Sequence, residues 1–207
     1  MTDAREGVVQ YDLRYTCEPL EPEPDLPLLC RWHNLFRRLG WLGRDPNRYG
    51  GDAYGNLSFR STAGRGFVIS GTQTGDVELG HEHVSRVINV DVSQNFLAAR
   101  GPARPSSEAL THAAAYRLGP SVRWVFHVHE PTIWAQTANL GLPQSDPQIG
   151  YGTPAMAMEL ARLHESPAGS GILSMGGHRD GVLSFGESAE QAAVELFQAY
   201  AAALALP

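Results

Sequence analysis

Val122-Arg123-Trp124-Val125-Phe126-His127-Val128-His129 is the stretch on which the reading of this chain turns. An apolar run rich in β-branched and aromatic residues reads as a strand. Side chains two apart on a strand share a face, so His127 and His129 project together while Trp124, Phe126 and Val128 go to the other side. Two neutral imidazoles on one strand suit a single zinc ion, at about 2.0–2.1 Å from each nitrogen. The same spacing also suits two ordinary surface or hydrogen-bonded histidines, and alone it leaves both readings open. His178 adds a third imidazole, in the glycine-flanked turn Gly176-Gly177-His178 ahead of a second strand, Val182–Phe185. Three histidines leave one coordination position free, as catalytic zinc requires.

Outward from this strand, both structural periods recur. Leu28, Leu29, Trp32, Leu35, Phe36 and Leu39 fall at threes and fours, which predicts a helix from about residue 26 to 40, closed by Gly40 and Gly43. Tyr54, Leu57 and Phe59, then Phe67–Ser70, predict a hairpin, and Val84–Val92 and Asn95–Ala99 are further strands. Pro105-Ser106-Ser107-Glu108 opens a helix, with Ser106 as its cap. Thr132–Ala138 and Pro154–His164 are helical, the second capped by Thr153. Ile172–Met175 is a short strand, and Ser188–Leu204 closes the chain as an alanine-rich helix. Interleaved strands and helices that include hairpins predict an α/β class: a three-layer α/β/α arrangement with a mainly antiparallel central sheet. Residues 1–26, with the proline-rich run Glu18–Pro24, read as an irregular, extended N-terminal segment, and 27–207 as one domain.

Composition narrows the function. With 43% hydrophobic residues and a formal charge of −6, the chain has material for a core and lacks the positive charge that nucleic acid or an anionic membrane would attract. The longest apolar run, Ala199–Pro207, is too short to span a bilayer, and Met1–Gly7 lacks the apolar stretch of a signal peptide. Two cysteines, Cys17 and Cys30, imply no disulfide framework. The expectation is a soluble cytoplasmic protein.

Around the histidines lie candidate anion-binding pieces. A helix N-terminus presents free N–H groups and partial positive charge, and Ser106 and Ser107 add hydroxyls there. Gly71-Thr72-Gln73-Thr74-Gly75 frees backbone for close approach, and Asn56 offers an amide at a strand head. Each piece is also an ordinary cap or turn taken singly. A second pair, His81-Glu82-His83, follows a polar turn and reads as solvated loop. His33, His112 and His164 lie in predicted helices without a partner at three or four residues and take packing or surface roles.

In order, Gly55-Asn56-Leu57-Ser58, the Gly71–Gly75 loop, Pro105-Ser106-Ser107-Glu108, His127-Val128-His129 and His178 resemble the class II aldolase/adducin-head family, from about residue 27 to 200. The resemblance implies zinc ligands at His127, His129 and His178, with manganese, iron or cobalt as other divalent choices. It implies phosphate contacts from Asn56, Thr74, Gly75, Ser106 and Ser107, and an acid/base role for Glu108. The implied activity is a zinc-dependent aldolase cleaving a ketose phosphate or related sugar phosphate through a metal-stabilised enediolate. A carboxylate in a partly dry site can have its pKa raised enough to exchange the proton. A sugar-phosphate 4-epimerase or dehydratase would use the same groups, and adducin heads keep the fold as interaction modules without the zinc ligands. The family's enzymes are commonly homo-oligomers, often tetramers.

The chain departs from that pattern in places. Only 23 residues, Glu130 to Gly152, separate the histidine pair from the Thr153 helix, and the region for a tyrosine proton donor is shortened to Leu140–Gly150. Tyr151 matches an aromatic position before the next helix and stays outside the catalytic set. Glu130 is an unusual extra carboxylate that could alter metal charge or substrate choice, and residues 1–26 have no counterpart in the family.

Overall fold

The computed structural model describes residues 9–164 and 171–206. Its strands are β1 (Asp12–Cys17), β2 (Gly43–Arg44), β3 (Ala53–Tyr54), β4 (Asn56–Arg60), β5 (Phe67–Ser70), β6 (Val84–Asp91), β7 (Phe96–Gly101), β8 (Trp124–His129), β9 (Gly171–Ser174) and β10 (Gly181–Gly186). Its helices are α1 (Leu26–Arg38), α2 (Ala109–Arg117), α3 (Pro131–Ala135), α4 (Thr137–Leu140), α5 (Pro154–Leu163) and α6 (Ala189–Leu204). Eight strands form one sheet in the order β1-β7-β6-β5-β4-β8-β10-β9, and β2 pairs with β3 beside it. Among the described strands β1 pairs with β7 in parallel and the other strand pairs are antiparallel, as the hairpin spacing predicts.

Strand β8 is interior, bordered by β4 and β10, and all six of its residues are buried. Its alternation sorts the core into two layers. Trp124, Phe126 and Val128 join Leu29 and Phe36 of α1, Ile133 of α3 and Leu196 of α6. Val125, of opposite parity, joins Leu110 of α2 and Met156 and Leu160 of α5. Phe126 meets the Phe36 ring edge-on at 5.4 Å, and its full burial is worth about 1.5–3 kcal/mol. Helices therefore cover both faces of a mainly antiparallel sheet. Among the described residues no helix is long and apolar enough to cross a membrane.

Part of the stretch read as an irregular lead-in is in fact strand. β1 aligns Asp12 to Cys17 with Phe96 to Gly101, at the sheet edge. Its alternation is brief and interrupted by charge, as suits an edge strand, so the sequence signal is weak. The proline-rich run that follows is tied down as well: the Glu23 carboxylate is buried against the Arg86 guanidinium of β6 and accepts from the Ser61 hydroxyl at 2.8 Å. Residues 1–8 of that lead-in lie outside the described residues.

His33 takes the packing role. It is fully buried on the inner face of α1 with Leu29 and Phe36, and neither ring nitrogen has a hydrogen-bond partner among the described residues. Burial pushes its pKa down to about 4. The unfolded chain takes up a proton below about pH 6.5 that the folded chain refuses until about 4, so stability falls as pH drops through that window. The loss is on the order of 3 kcal/mol. Urea denaturation at pH 7 and pH 4.5 should show that share removed in His33→Leu; equal pH sensitivity in both proteins would contradict it.

Candidate functional site

The sheet register assembles the site. β8 places His127 and His129 on one face, and β4 sets Asn56 directly opposite His127. β10 sets Gly181 opposite His129, so the tight turn from Met175 to Gly181 carries His178 over β8. That turn is closed by Met175 N–H to the Gly181 carbonyl at 2.9 Å and by His178 N–H to the Met175 carbonyl at 3.1 Å. It packs so closely that a Cβ on Gly177 would lie 2.2 Å from the Ile149 carbonyl oxygen.

The three imidazoles converge. One ring nitrogen from each of His127, His129 and His178 lies within 4.8 Å of the others, and all three residues are buried. The His178 and His129 Nε2 atoms are 2.8 Å apart. Burial, then His178 and His127, holds the His129 pKa well below the ordinary imidazole value, so its ring is neutral and keeps a lone pair to donate. His127 Nδ1 sits 3.2 Å from the Val182 carbonyl oxygen. A proton donated there leaves Nε2 as the free lone pair, an arrangement typical of metal-binding histidines.

Glu108 completes the group. It is fully buried at the entrance to α2, with Oε1 3.0 Å from His127 Nε2 and 3.5 Å from His178 Nε2. Burial pushes its pKa up, but His127 and then His178 outweigh that and hold it down at about 2. The direction is opposite to the upward shift expected from a dry site, because the His127 and His178 imidazoles stand closer than the sequence suggested. Neither Glu108 oxygen nor His127 Nε2 has a hydrogen-bond partner of acceptable geometry among the described residues. Buried acceptors aimed at one point are costly unless a positive charge lies between them. This donor set fits a divalent cation.

The expected phosphate contacts fall on three adjacent passages. Gly71 bridges to Pro105, and Thr72 N–H donates to the Arg104 carbonyl at 3.0 Å, so the glycine loop and the turn before α2 run together. Ser70 Oγ accepts from Leu57 N–H at 3.1 Å, which joins the head of β4 to them. Asn56, Thr74, Ser106 and Ser107 are all buried there. Their details differ from the sequence reading. Ser106 Oγ accepts from Glu108 N–H at 3.2 Å, inside the turn before the helix rather than as its cap, and Tyr11 donates to the Ser106 carbonyl at 2.7 Å. Thr74 donates its hydroxyl proton to the Gly71 carbonyl at 2.7 Å. Gly75 has an intramolecular reason to lack a side chain: a Cβ would meet the Tyr54 carbonyl oxygen at 2.4 Å.

Other residues resolve plainly. Glu130 is the cap of α3, accepting from Ile133 N–H at 2.6 Å, so that oxygen is committed to the helix. His81 and His83 lie in a short turn, the second accepting from Gly80 N–H at 3.0 Å, apart from the three-histidine group. His112 is fully buried one helical turn beyond Glu108 and bonds Ser58 Oγ through Nδ1 at 2.7 Å. Sequence reasoning missed Arg48, Tyr49, Tyr54 and Asp180. The Tyr49 ring meets His129 at 4.4 Å and the Tyr54 ring meets it at 5.2 Å. The Tyr49 hydroxyl donates to Asp180 Oδ2 at 2.6 Å. Tyr151, set aside in the sequence, packs its ring edge-on at 4.7 Å from His178. Only the position of Asp180, two residues after His178, was a usable hint.

No curated protein sequence matches the chain. Its fold is similar to YgbL from Escherichia coli, with 21% identity over 86% of each chain and a TM-score of 0.63. YgbL from Klebsiella pneumoniae matches at 18% identity over 89% of each chain, with a TM-score of 0.65. The L-fuculose-1-phosphate aldolase of Thermus thermophilus matches at 17% identity over 86% of this chain and 88% of its own, with a TM-score of 0.60. The sequence model of the class II aldolase and adducin N-terminal domain matches residues 45–205, a span that holds every strand from β3 to β10 together with the histidines and Glu108. With most of its length covered, the chain belongs to the class II aldolase and adducin N-terminal domain family.

Proposed function

We propose that the protein is a metal-dependent aldehyde-lyase that cleaves a ketose phosphate or related sugar phosphate. The observation that carries this reading is the buried Glu108 carboxylate, 3.0 Å from His127 and 3.5 Å from His178 in a three-histidine group. His127, His129 and His178 hold zinc in this reading; the same nitrogen donors also accept manganese, iron or cobalt. The ion, when bound, supplies Lewis-acid stabilisation of negative charge on substrate oxygens. Glu108 takes up the proton released beside the carbonyl or returns it, from an oxygen that no hydrogen bond among the described residues ties down. Asn56, Thr74, Gly75, Ser106 and Ser107 grip the phosphate, and this remote binding orients the reacting carbons.

A homo-oligomer, a tetramer on the family's pattern, belongs to the same proposal, and the exposed Phe197 and Leu204 of α6 offer apolar surface for it. A 4-epimerase or a dehydratase would use the same donors and differs in product. A non-catalytic adducin-type module has no use for a buried carboxylate set beside three converging imidazoles.

The test is a screen of ketose phosphates for aldehyde release by the metal-loaded protein, with and without chelator. Release that stops on chelation and returns with zinc is expected. A native protein that carries no divalent ion, or a metal-loaded one that releases no aldehyde from any of them, would overturn the lyase assignment. Epimerised or dehydrated product would replace it with the corresponding alternative.

A further inference from the structure

We infer that Tyr11, immediately ahead of β1, is a positioning residue for Glu108, so that the N-terminal segment serves the site from outside residues 45–205 of the family match. The inference rests on the acid/base role given to Glu108 in the proposed function and adds a residue that holds its turn in place.

The first turn of α2 has no side-chain cap. A helix start of that kind depends on whatever fixes the backbone ahead of it, and here that is Ser106. Ser106 N–H donates to the Ser70 carbonyl at 3.2 Å, and its hydroxyl oxygen accepts from Glu108 N–H at 3.2 Å. The Ser106 carbonyl accepts twice, from Ala109 N–H at 3.0 Å and from the Tyr11 hydroxyl at 2.7 Å. Glu108 and Ala109 are thus both bound to Ser106, and the carboxylate reaches His127 from backbone that Ser106 places. Gly152 steadies the same passage from α5's side. At φ +64° it donates its N–H to Thr111 Oγ1 at 3.0 Å, and a Cβ on it would lie 2.7 Å from the Ser107 carbonyl oxygen.

Tyr11 is itself firmly held. Its side chain is buried in the core cluster that includes Val92, Leu97 and Tyr116. Both of its chain neighbours are tied to the turn before β7: Asn95 Nδ2 donates to the Gln10 carbonyl at 2.8 Å, and Asp12 N–H donates to the Asn95 carbonyl at 2.8 Å. A carbonyl oxygen only accepts, so the phenol is the donor in the bond to Ser106. Burial holds that phenol above the ordinary tyrosine range, so it keeps its proton. The bond joins residues 95 positions apart, and it transmits the place of the sheet edge to the turn that carries Glu108.

Tyr15 supplies the comparison. It lies on β1 and donates to the Gly101 carbonyl at 2.6 Å, at the end of β7. That bond also ties the N-terminal segment to the sheet, but it does not touch the Ser106 turn.

The experiment sets Tyr11→Phe against Tyr15→Phe in the full-length, zinc-loaded protein; each variant keeps its ring and loses one hydroxyl. Hydrogen exchange at the Ser106, Glu108 and Ala109 amides should quicken about fivefold in Tyr11→Phe, the usual worth of one hydrogen bond, and keep the wild-type rate in Tyr15→Phe. Single-turnover aldehyde release should slow about fivefold in Tyr11→Phe and not in Tyr15→Phe. In a Glu108→Gln background Tyr11→Phe should slow it no further, because a residue acting through Glu108 then has nothing to position. Unchanged exchange in Tyr11→Phe, equal quickening in both variants, or the same fractional slowing with and without Glu108 overturns the inference while leaving the lyase proposal intact. If wild type cleaves no ketose phosphate, the lyase proposal falls, and the exchange comparison alone decides whether Tyr11 holds the Glu108 turn.

Discussion

Glu108→Gln is expected to keep the bound metal and to lower turnover by about 10²–10⁴-fold, the usual contribution of a positioned acid/base. The substitution preserves shape and removes the ability to take up a proton. The three histidines reach the site from β8 and the Met175–Gly181 turn, on backbone that Glu108 does not support, so the metal site should survive. Without metal the variant should lose stability at neutral pH, because the carboxylate that His127 and His178 hold down contributes to folding there and the amide does not. Metal analysis, urea denaturation and single-turnover kinetics separate these effects. Undiminished turnover in a metal-loaded variant would remove Glu108 from the chemistry.

His178→Ala is expected to weaken metal binding by more than about 100-fold, beyond what loss of an outer-shell partner costs. Of the three histidines it is the most informative to remove. His127 and His129 sit in an interior strand, where truncation also damages packing, whereas His178 lies on a turn closed by backbone hydrogen bonds of 2.9 and 3.1 Å. In chelator, the variant and the wild type should therefore melt at similar temperatures, and only in the presence of zinc should they diverge. Competition against a chromophoric chelator measures the affinity directly. Equal affinity in the two proteins would mean that the ion sits elsewhere.

Much of this architecture was legible in the chain because it depends on local period. Alternation from Trp124 to His129 assigned both imidazoles to one face, and the three-four spacing from Leu29 to Phe36 marked the inner side of α1. The hairpin of β4 and β5 was marked by two apolar runs and a polar turn. Strand β1 was not legible, since its pairing with β7 joins residues more than 80 positions apart and leaves little hydrophobic signature. The direction of the Glu108 shift was misjudged for a related reason. Burial is foreseeable from an apolar neighbourhood, but the distance to His127 depends on how α2 meets β8.

The amino-acid order by itself determined most of the strands and helices, the family and the residue types of the metal group, because each rests on patterns within a few positions of the chain. Only the tertiary structure decided that Asn56 stands opposite His127, that Glu130 is turned to a helix end, and that Tyr49 bonds Asp180 across 131 positions. Those contacts follow from strand order and the curl of two loops. Both are settled by the packing of the whole core, and no short window of sequence contains that information.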